Sequence, residues 1–223
     1  MKTRLILASQ SVGRKKLLEY LKVPFEVVPS TLDEDKIIAS TPIETIRLRA
    51  RAKGEDVAYR IQNSVVSNQK KSKSRYVLTT DNRQLITIIL SADSGAILDG
   101  KLIGKPKDEK DAYRIFRLLS GRTHEFVTAT FIISLSQQLS TGLNPKSYKI
   151  LLDDVDRSYV TFRKITDEDI KLYLKLTDYT KFAGGYAVSS AQNFITKIEG
   201  SISSVIGLPL EKVVPVFRKY QVL

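Results

Sequence analysis

The first twenty residues predict a strand, a tight turn and a helix, and this order restricts the fold more than any other stretch. Leu5–Ala8 is an apolar run without a polar break, which is typical of a short buried strand. Ser9–Gly13 supplies turn and helix-cap residues, and the leucines from Leu17 to Leu21 then recur at the spacing of one helix face. A buried strand that leads directly into a helix is typical of an α/β domain.

The turn also has the composition of a phosphate site. Ser11 is placed as the N-cap of the helix, where free backbone N–H groups and the positive end of the helix dipole attract anions. Arg14, Lys15 and Lys16 add three cations to the first turn. An ordinary strand-to-helix turn that binds nothing has the same pattern, so phosphate binding is one of two interpretations at this point.

Composition limits the available chemistry. The 223 residues include no cysteine and one histidine, His124. Thiol nucleophiles, disulfides and zinc–thiolate sites are therefore excluded, and a Ser-His-Asp triad would have to use His124. Carboxylates, lysines, arginines and serines remain, and these are the residue types of metal-assisted chemistry on phosphates. No apolar run reaches about 18 residues, so we expect a soluble, cytoplasmic protein without a membrane partner.

The formal net charge of +12 indicates an anionic partner, which a nucleic acid, a membrane surface or a polyphosphate small molecule would satisfy. Part of the excess lies in Lys70, Lys71, Lys73 and Arg75, within a stretch rich in Asn, Ser and Gln. Aromatic residues do not alternate with these cations, so nucleic-acid binding is the less favoured interpretation of the run. We expect a flexible insertion over residues 62–84.

Acidic residues occur at two places that suit a ligand. Asp93 follows the apolar run Leu85–Leu90, so we expect it at the carboxyl end of a central strand, where open α/β sheets place their ligands. Asp33, Glu34 and Asp35 stand in a row in an earlier loop. Mg²⁺ commonly uses one or two carboxylates together with substrate phosphates. The alternatives are a turn aspartate at the first place and an acidic surface loop at the second.

Two lysines are placed to reach such a site. A helix is predicted over about residues 42–60, and Lys53 falls on its apolar stripe, which directs the ammonium toward the interior or a cleft. Asp99–Gly100 predicts a tight hairpin, and the returning strand brings Lys105 toward Asp93. Extension of the Lys53 side chain to solvent is the alternative.

The second half of the chain predicts antiparallel strands and capped helices. Long strand-like runs cover residues 123–135 and 148–163, and Asp108 and Thr166 are placed as helix N-caps. These runs predict a smaller antiparallel lobe beside the α/β elements of the first half.

Several ordered motifs together resemble one known family, the Maf proteins. The motifs are Leu5–Ser11 followed by Arg14, Ala92–Ser94, Leu98–Gly100, Gly104–Pro106, Leu118–His124, Ala183–Tyr186, Ile198–Gly200 and Val205–Pro209. The likeness covers nearly the whole chain apart from about residues 62–84. It implies an α/β fold similar to that of inosine triphosphate pyrophosphatases, with a mixed sheet, flanking helices and a central cleft. We therefore expect a single Maf-like domain over residues 1–223.

The resemblance also implies an activity. Maf proteins are nucleoside triphosphate pyrophosphatases, hydrolases that cut between the α and β phosphates and release a nucleoside monophosphate and pyrophosphate. They use a divalent metal such as Mg²⁺, Mn²⁺ or Co²⁺, and their substrates are pyrimidine triphosphates such as dTTP and UTP or modified nucleotides such as 7-methyl-GTP. The family also implies a house-cleaning role in nucleotide metabolism and a possible homodimer.

The resemblance also implies, position by position along the sequence, which residues are functional. The resemblance implies catalytic roles for Asp93, Lys53 and Lys105, with Asp93 accepting a proton from water. It implies phosphate binding by Ser9, Ser11 and Arg14. The metal-binding positions that it implies are Asp33, Glu34 and Asp93.

Three small residues depart from the family pattern where its members select their base. Gly13 stands where the family has Arg or Trp, Ser94 replaces Thr or Gln, and Ser189 replaces Gln or Glu. We expect a roomier or less selective base pocket, and the preferred base stays open. The alternative function is a catalytically weakened Maf-like protein that binds nucleotides and acts in regulation.

Overall fold

A mixed sheet, with seven strands within the described residues, organises the chain. The computed structural model describes residues 2–69, 85–136 and 148–223. The strands are β1 (Lys2–Leu7), β2 (Glu26–Val27), β3 (Leu85–Leu98), β4 (Lys101–Ile103), β5 (Thr123–Ser136), β6 (Lys149–Phe162) and β7 (Ile195–Glu199). Their order is β2-β1-β3-β5-β6-β7, and β4 pairs with the far end of β3. The pairings β1–β2 and β1–β3 are parallel and the others are antiparallel, which confirms the predicted mixed α/β sheet.

Helices cover both faces of this sheet. They are α1 (Val12–Tyr20), α2 (Pro42–Gln69), α3 (Glu109–Leu119), α4 (Asp167–Leu176), α5 (Ile202–Ile206) and α6 (Leu210–Lys219). Ile46 and Val57 of α2 pack against Phe131 on one face, while Leu18 and Phe217 of α1 and α6 pack on the other. Helices α3 and α4 enclose a third apolar cluster at the antiparallel end. Within the described ranges, none of the helices is long and apolar enough to cross a lipid bilayer.

Strand β3 is longer than the sequence predicts, and its length places the site. The prediction ends this strand after Leu90 and sets Asp93 at its carboxyl end, which is wrong because β3 continues to Leu98. Antiparallel pairing with β5 holds β3 from Ile86 to Ile97. Parallel pairing with β1 stops at Leu90, because the chain of β1 then turns away into α1. Asp93 therefore lies just beyond the point where its strand loses one neighbour, beside the turn that precedes α1.

Helix α2 also exceeds its prediction. It continues to Gln69 instead of ending near Arg60, so the first part of the predicted insertion, residues 62–69, is helical. The basic run Lys70–Arg75, the rest of the predicted insertion and the loop around Asn144 lie outside the described residues. The single-domain assignment stays a prediction.

Local turn and cap predictions are confirmed. Asp99 and Gly100 both have left-handed backbone angles, with φ of 51° and 72°, as the two-residue hairpin requires. Ser11 and Asp108 cap α1 and α3, and Thr166 forms a capping box with Asp169 at the start of α4. The short helix α5 was not predicted, because its five residues are too few to show a helical period.

His124 makes the stability of the fold depend on pH. Its side chain is buried between the rings of Phe162 and Tyr186, with Nε2 2.7 Å from the Tyr186 hydroxyl. Burial lowers the pKa of His124 from 6.5 to about 4. The unfolded chain therefore binds a proton at a pH where the folded chain does not, so this histidine removes stability as the pH falls below about 6.5.

We predict that the free energy of unfolding falls by about 2 kcal/mol between pH 6.5 and pH 5 because of His124. Urea titrations at half-unit steps of pH measure this loss. In His124→Gln, which keeps a hydrogen-bonding group for Tyr186, the slope over this interval should flatten. Equal slopes in both proteins would show that His124 is not the group responsible.

Candidate active site

Four charged side chains form a continuous chain beside the open stretch of β3. Lys53 of α2 donates to Asp93 Oδ1 at 2.7 Å and also contacts Glu34. The other carboxylate oxygen of Glu34 accepts from Lys105 Nζ at 3.0 Å. The loop before α2, the middle of α2, strand β3 and the loop after β4 therefore meet through alternating charges. The structure thus brings together the three predicted catalytic residues, Asp93, Lys53 and Lys105, and two of the three predicted metal ligands, Glu34 and Asp93.

Burial makes the central charges of this chain depend on one another. Asp93 is 7% exposed, and the side chain of Lys53 is 13% exposed. A buried charge is unfavourable unless it is paired, so each of these two groups depends on the other. At Glu34, burial alone would raise the pKa, but the attraction of Lys53 and Lys105 outweighs it and lowers the pKa to about 2. Glu34 is consequently ionised throughout the physiological pH range.

Arg14 is a buried cation whose hydrogen-bond partners among the described residues are all neutral. Its side chain is 7% exposed and donates from Nε to the Gly207 carbonyl at 3.0 Å, from Nη1 to Ser9 Oγ at 2.8 Å and from Nη2 to Ser94 Oγ at 2.9 Å. Among the described residues, no carboxylate lies within 4.0 Å of its nitrogens. Burial lowers the pKa of Arg14, and the more distant charges of Asp93 and Glu34 oppose this effect. A guanidinium has five N–H groups, so the three hydrogen bonds that Arg14 donates to described residues leave two donors for an anion.

The serines of the first turn organise this arginine and its helix. Ser9 Oγ is buried and also accepts from the Ser11 backbone N–H at 3.2 Å. Ser11 Oγ accepts from the Arg14 backbone N–H at 3.5 Å as the helix cap. The N terminus of α1 therefore adds its backbone N–H groups next to the Arg14 side chain, and both favour an anion.

The predicted metal ligands are only partly assembled. Within residues 2–69, 85–136 and 148–223, no three His, Cys, Asp or Glu side chains are placed to share a metal ion. Glu34 and Asp93 are neighbours because both contact the Lys53 ammonium, whereas Asp33 is exposed and pairs with Lys36 at 3.3 Å. Two carboxylates suit Mg²⁺ when substrate phosphates supply further oxygens. The donor set at Glu34 and Asp93 therefore fits a hard divalent metal, and Asp33 lies outside it.

Sequence comparisons identify the family. The sequence profile described as "Maf-like protein" matches residues 4–220. The chain therefore belongs to the Maf-like protein family. It is 34% identical over 219 residues to the dTTP/UTP pyrophosphatase of Geotalea uraniireducens, a match that covers 98% of this chain and 95% of that protein. It is 31% identical to the dTTP/UTP pyrophosphatase of Ruminiclostridium cellulolyticum, covering 93% and 91%.

Two further comparisons add a broader activity name and a structural likeness. The nucleoside triphosphate pyrophosphatase of Mycobacterium marinum is 33% identical, with 93% of this chain and 88% of that protein covered. A HAM1 protein from Coxiella burnetii has 16% sequence identity and a TM-score of 0.36 over 73% of each chain. Because that score is low, membership of the Maf-like family is taken from the sequence matches alone.

The three predicted selectivity residues of this Maf-like protein lie in different surroundings. Ser94 faces Arg14, and its hydroxyl also lies 2.9 Å from Thr128 Oγ1. Gly13 packs against the end of α5. Ser189 is exposed in the turn after Tyr186. Selection of the base by these residues stays a prediction.

Two parts of this Maf-like site were missed by sequence reasoning. Thr128 of β5 bridges Ser94 and the Ser204 carbonyl oxygen, and Gly207 accepts from Arg14. Arg14 and Gly207 are 193 positions apart, so local patterns do not connect them. The Val205–Pro209 motif is part of the family resemblance, but it does not indicate that the backbone of this segment accepts a hydrogen bond from an arginine.

We predict that Arg14→Ala weakens the binding of inorganic tripolyphosphate by about 10- to 100-fold, because charge-assisted hydrogen bonds to the buried guanidinium are lost. Isothermal titration calorimetry in EDTA measures this affinity without a base or a metal. Arg114→Ala is the matched control, since Arg114 is exposed and pairs with Asp111 on α3. Equal affinity in the Arg14 variant and the control would contradict the assignment of Arg14 as the anion site.

We predict that Glu34→Gln binds tripolyphosphate several-fold more tightly in EDTA, because a carboxylate that neutralises Lys53 and Lys105 is removed. A second titration, with Mg²⁺ as the titrant, tripolyphosphate present and no EDTA, should show that the variant binds the metal more weakly. Glu199→Gln, an exposed glutamate paired with Lys197, serves as the control for a general change of charge. Weaker tripolyphosphate binding in EDTA by the Glu34 variant would contradict this account.

Proposed function

We propose that the protein is a nucleoside triphosphate pyrophosphatase that hydrolyses the α–β phosphate bond of a pyrimidine nucleoside triphosphate, such as dTTP or UTP. One observation carries the proposal: Arg14 is buried and, in the part of the chain that the structure describes, has only neutral hydrogen-bond partners, next to the charged chain of Lys53 and Asp93. A triphosphate bound there would supply the missing negative charge. The pyrimidine substrate is supported by the names of the relatives from Geotalea uraniireducens and Ruminiclostridium cellulolyticum.

The proposed reaction uses Asp93 as the base and the three nearby cations to stabilise the leaving group. Asp93 takes a proton from water, and the water oxygen forms a bond to the α phosphorus. The bond from that phosphorus to the bridging oxygen of the β phosphate breaks, and pyrophosphate leaves with the bond electrons. Arg14, Lys53 and Lys105 stabilise the negative charge that shifts onto the leaving group. Lys53 also holds the Asp93 carboxylate in place through its 2.7 Å hydrogen bond.

Glu34 and Asp93 would hold the divalent metal that the family uses. Their carboxylate oxygens and the substrate phosphates form an oxygen donor set that suits Mg²⁺ or Mn²⁺. When bound, the metal would supply positive charge to the phosphate oxygens. Lys53 contacts both carboxylates, so its ammonium must share them with the metal.

The proposal has one alternative in a different class. A weakened Maf-like protein would bind nucleotides without turning them over and act in regulation. The base-selection departures at Gly13 and Ser189 favour it, whereas the paired Asp93, Lys53 and Lys105 favour an enzyme. We also propose a cytoplasmic location and a house-cleaning role, and a homodimer stays a prediction.

We predict that Asp93→Asn lowers the rate of pyrophosphate release by about 10²- to 10⁴-fold while the protein stays folded, because asparagine keeps the shape but cannot accept the proton. A panel of canonical and modified nucleoside triphosphates with Mg²⁺, Mn²⁺ or Co²⁺ measures the rates and the base preference together. Asp178→Asn, at an exposed aspartate paired with Lys181, is the control.

The outcomes separate the two functions. Release by the native protein that is lost in Asp93→Asn supports the enzyme. Near-native turnover in that variant would remove Asp93 from the catalytic role. Nucleotide binding without release from any substrate would favour the regulatory alternative.

A further inference from the structure

Two glycines bring helix α1 and the end of α5 into direct contact around Arg14. A Cβ atom on Gly13 would lie 2.5 Å from the carbonyl oxygen of Ile206 and 3.3 Å from its Cγ2. A Cβ atom on Gly207, where φ is +133°, would lie 3.1 Å from Arg14 Cγ and 3.3 Å from its Nε. We call this contact between Gly13, Ile206 and Gly207 the glycine seam.

The glycine seam explains a residue that is unfavourable in its own helix. Glycine in a helix interior is less favourable than alanine by about 1 kcal/mol, so helix stability gives no reason for a glycine at position 13. A side chain there would meet a backbone oxygen, which cannot rotate away as a flexible side chain can. The end of α5 would have to move by several tenths of an ångström. The Gly207 carbonyl that accepts from Arg14 Nε at 3.0 Å would move with it.

A second predicted selectivity residue holds the same guanidinium. Ser94 Oγ accepts from Arg14 Nη2, and Thr128 Oγ1 lies 2.9 Å from Ser94 Oγ and 2.8 Å from the Ser204 carbonyl oxygen. Two hydrogen bonds thus hold helix α5. Thr128 donates to the Ser204 carbonyl oxygen, and Arg14 donates to the Gly207 carbonyl oxygen just after the last turn. Ser94 and the glycine seam therefore fix the arginine from two sides.

We propose that Gly13 and Ser94 are positioning residues for Arg14 and do not act as base-contacting residues. Gly13 acts by permitting the close approach of α5, and Ser94 acts by accepting from Nη2. The proposal rests on the proposed binding of phosphate by Arg14 and is independent of which base is preferred. It replaces the expectation that small residues at positions 13 and 94 enlarge the base pocket.

Gly13→Ala tests the seam with a ligand that has no base. Calorimetry with inorganic tripolyphosphate should show roughly 10-fold weaker binding, because the Arg14 hydrogen bond to Gly207 is displaced. The KM values for UTP, dTTP and GTP should rise by similar factors, so the ratios between bases stay as in the native protein. In an Arg14→Ala background, adding Gly13→Ala should leave tripolyphosphate affinity unchanged, since the group on which it acts is gone.

Other outcomes of these measurements would overturn the proposal. Native tripolyphosphate affinity in Gly13→Ala, with a changed preference among bases, would overturn the proposal and restore a base-contacting role. If Gly13→Ala does not fold, as judged by its thermal unfolding, Ser94→Ala decides: weaker tripolyphosphate binding supports the proposal, and native binding overturns it. Because tripolyphosphate binding is measured without turnover, absence of pyrophosphate release would reject the proposed enzyme while leaving this test intact.

Discussion

The burial of the Arg14 guanidinium among neutral oxygens is the constraint on which the site depends. A charge in the interior is unfavourable unless other groups compensate it, and the three acceptors of Arg14 are a serine pair and a backbone carbonyl. They satisfy hydrogen bonds without neutralising the charge. The arrangement leaves positive potential at the N terminus of α1, where the helix dipole has the same sign. A polyphosphate is the kind of ligand that this combination favours.

In contrast to Arg14, the charged side chains that are linked to Asp93 pair with opposite charges. Lys53 is shared between Asp93 and Glu34, and Glu34 is shared with Lys105, so these charges compensate one another within the protein. Such pairs contribute little net stability, because desolvation offsets their attraction. They do fix the relative positions of three chain segments. A triphosphate that enters would pair with the lysines of this group, and a metal would pair with its carboxylates. The charges of the group are therefore already arranged for a triphosphate and a metal together.

Local patterns were enough to predict the parts of the site that neighbouring residues determine. The Ser11 cap, the Asp99–Gly100 turn and the inward direction of Lys53 follow from cap chemistry, turn chemistry and helical spacing. The end of β3 was predicted wrongly, because pairing with β5 extends that strand and such pairing is not local. The packing of Gly13 depends on Ile206 near the other end of the sequence. The absence of a side chain at Gly13 therefore suggested a larger base pocket, whereas another segment of the chain fills that space.

A crystal structure with Mg²⁺ and the α,β-imido analogue of dUTP, which resists hydrolysis, would test the central claim most directly. The account predicts phosphate oxygens at about 3 Å from the free N–H groups of Arg14, with the α phosphorus facing Asp93. It also predicts that Lys53 and Lys105 contact phosphate oxygens. Phosphates bound elsewhere, with Arg14 still surrounded only by Ser9, Ser94 and Gly207, would contradict it.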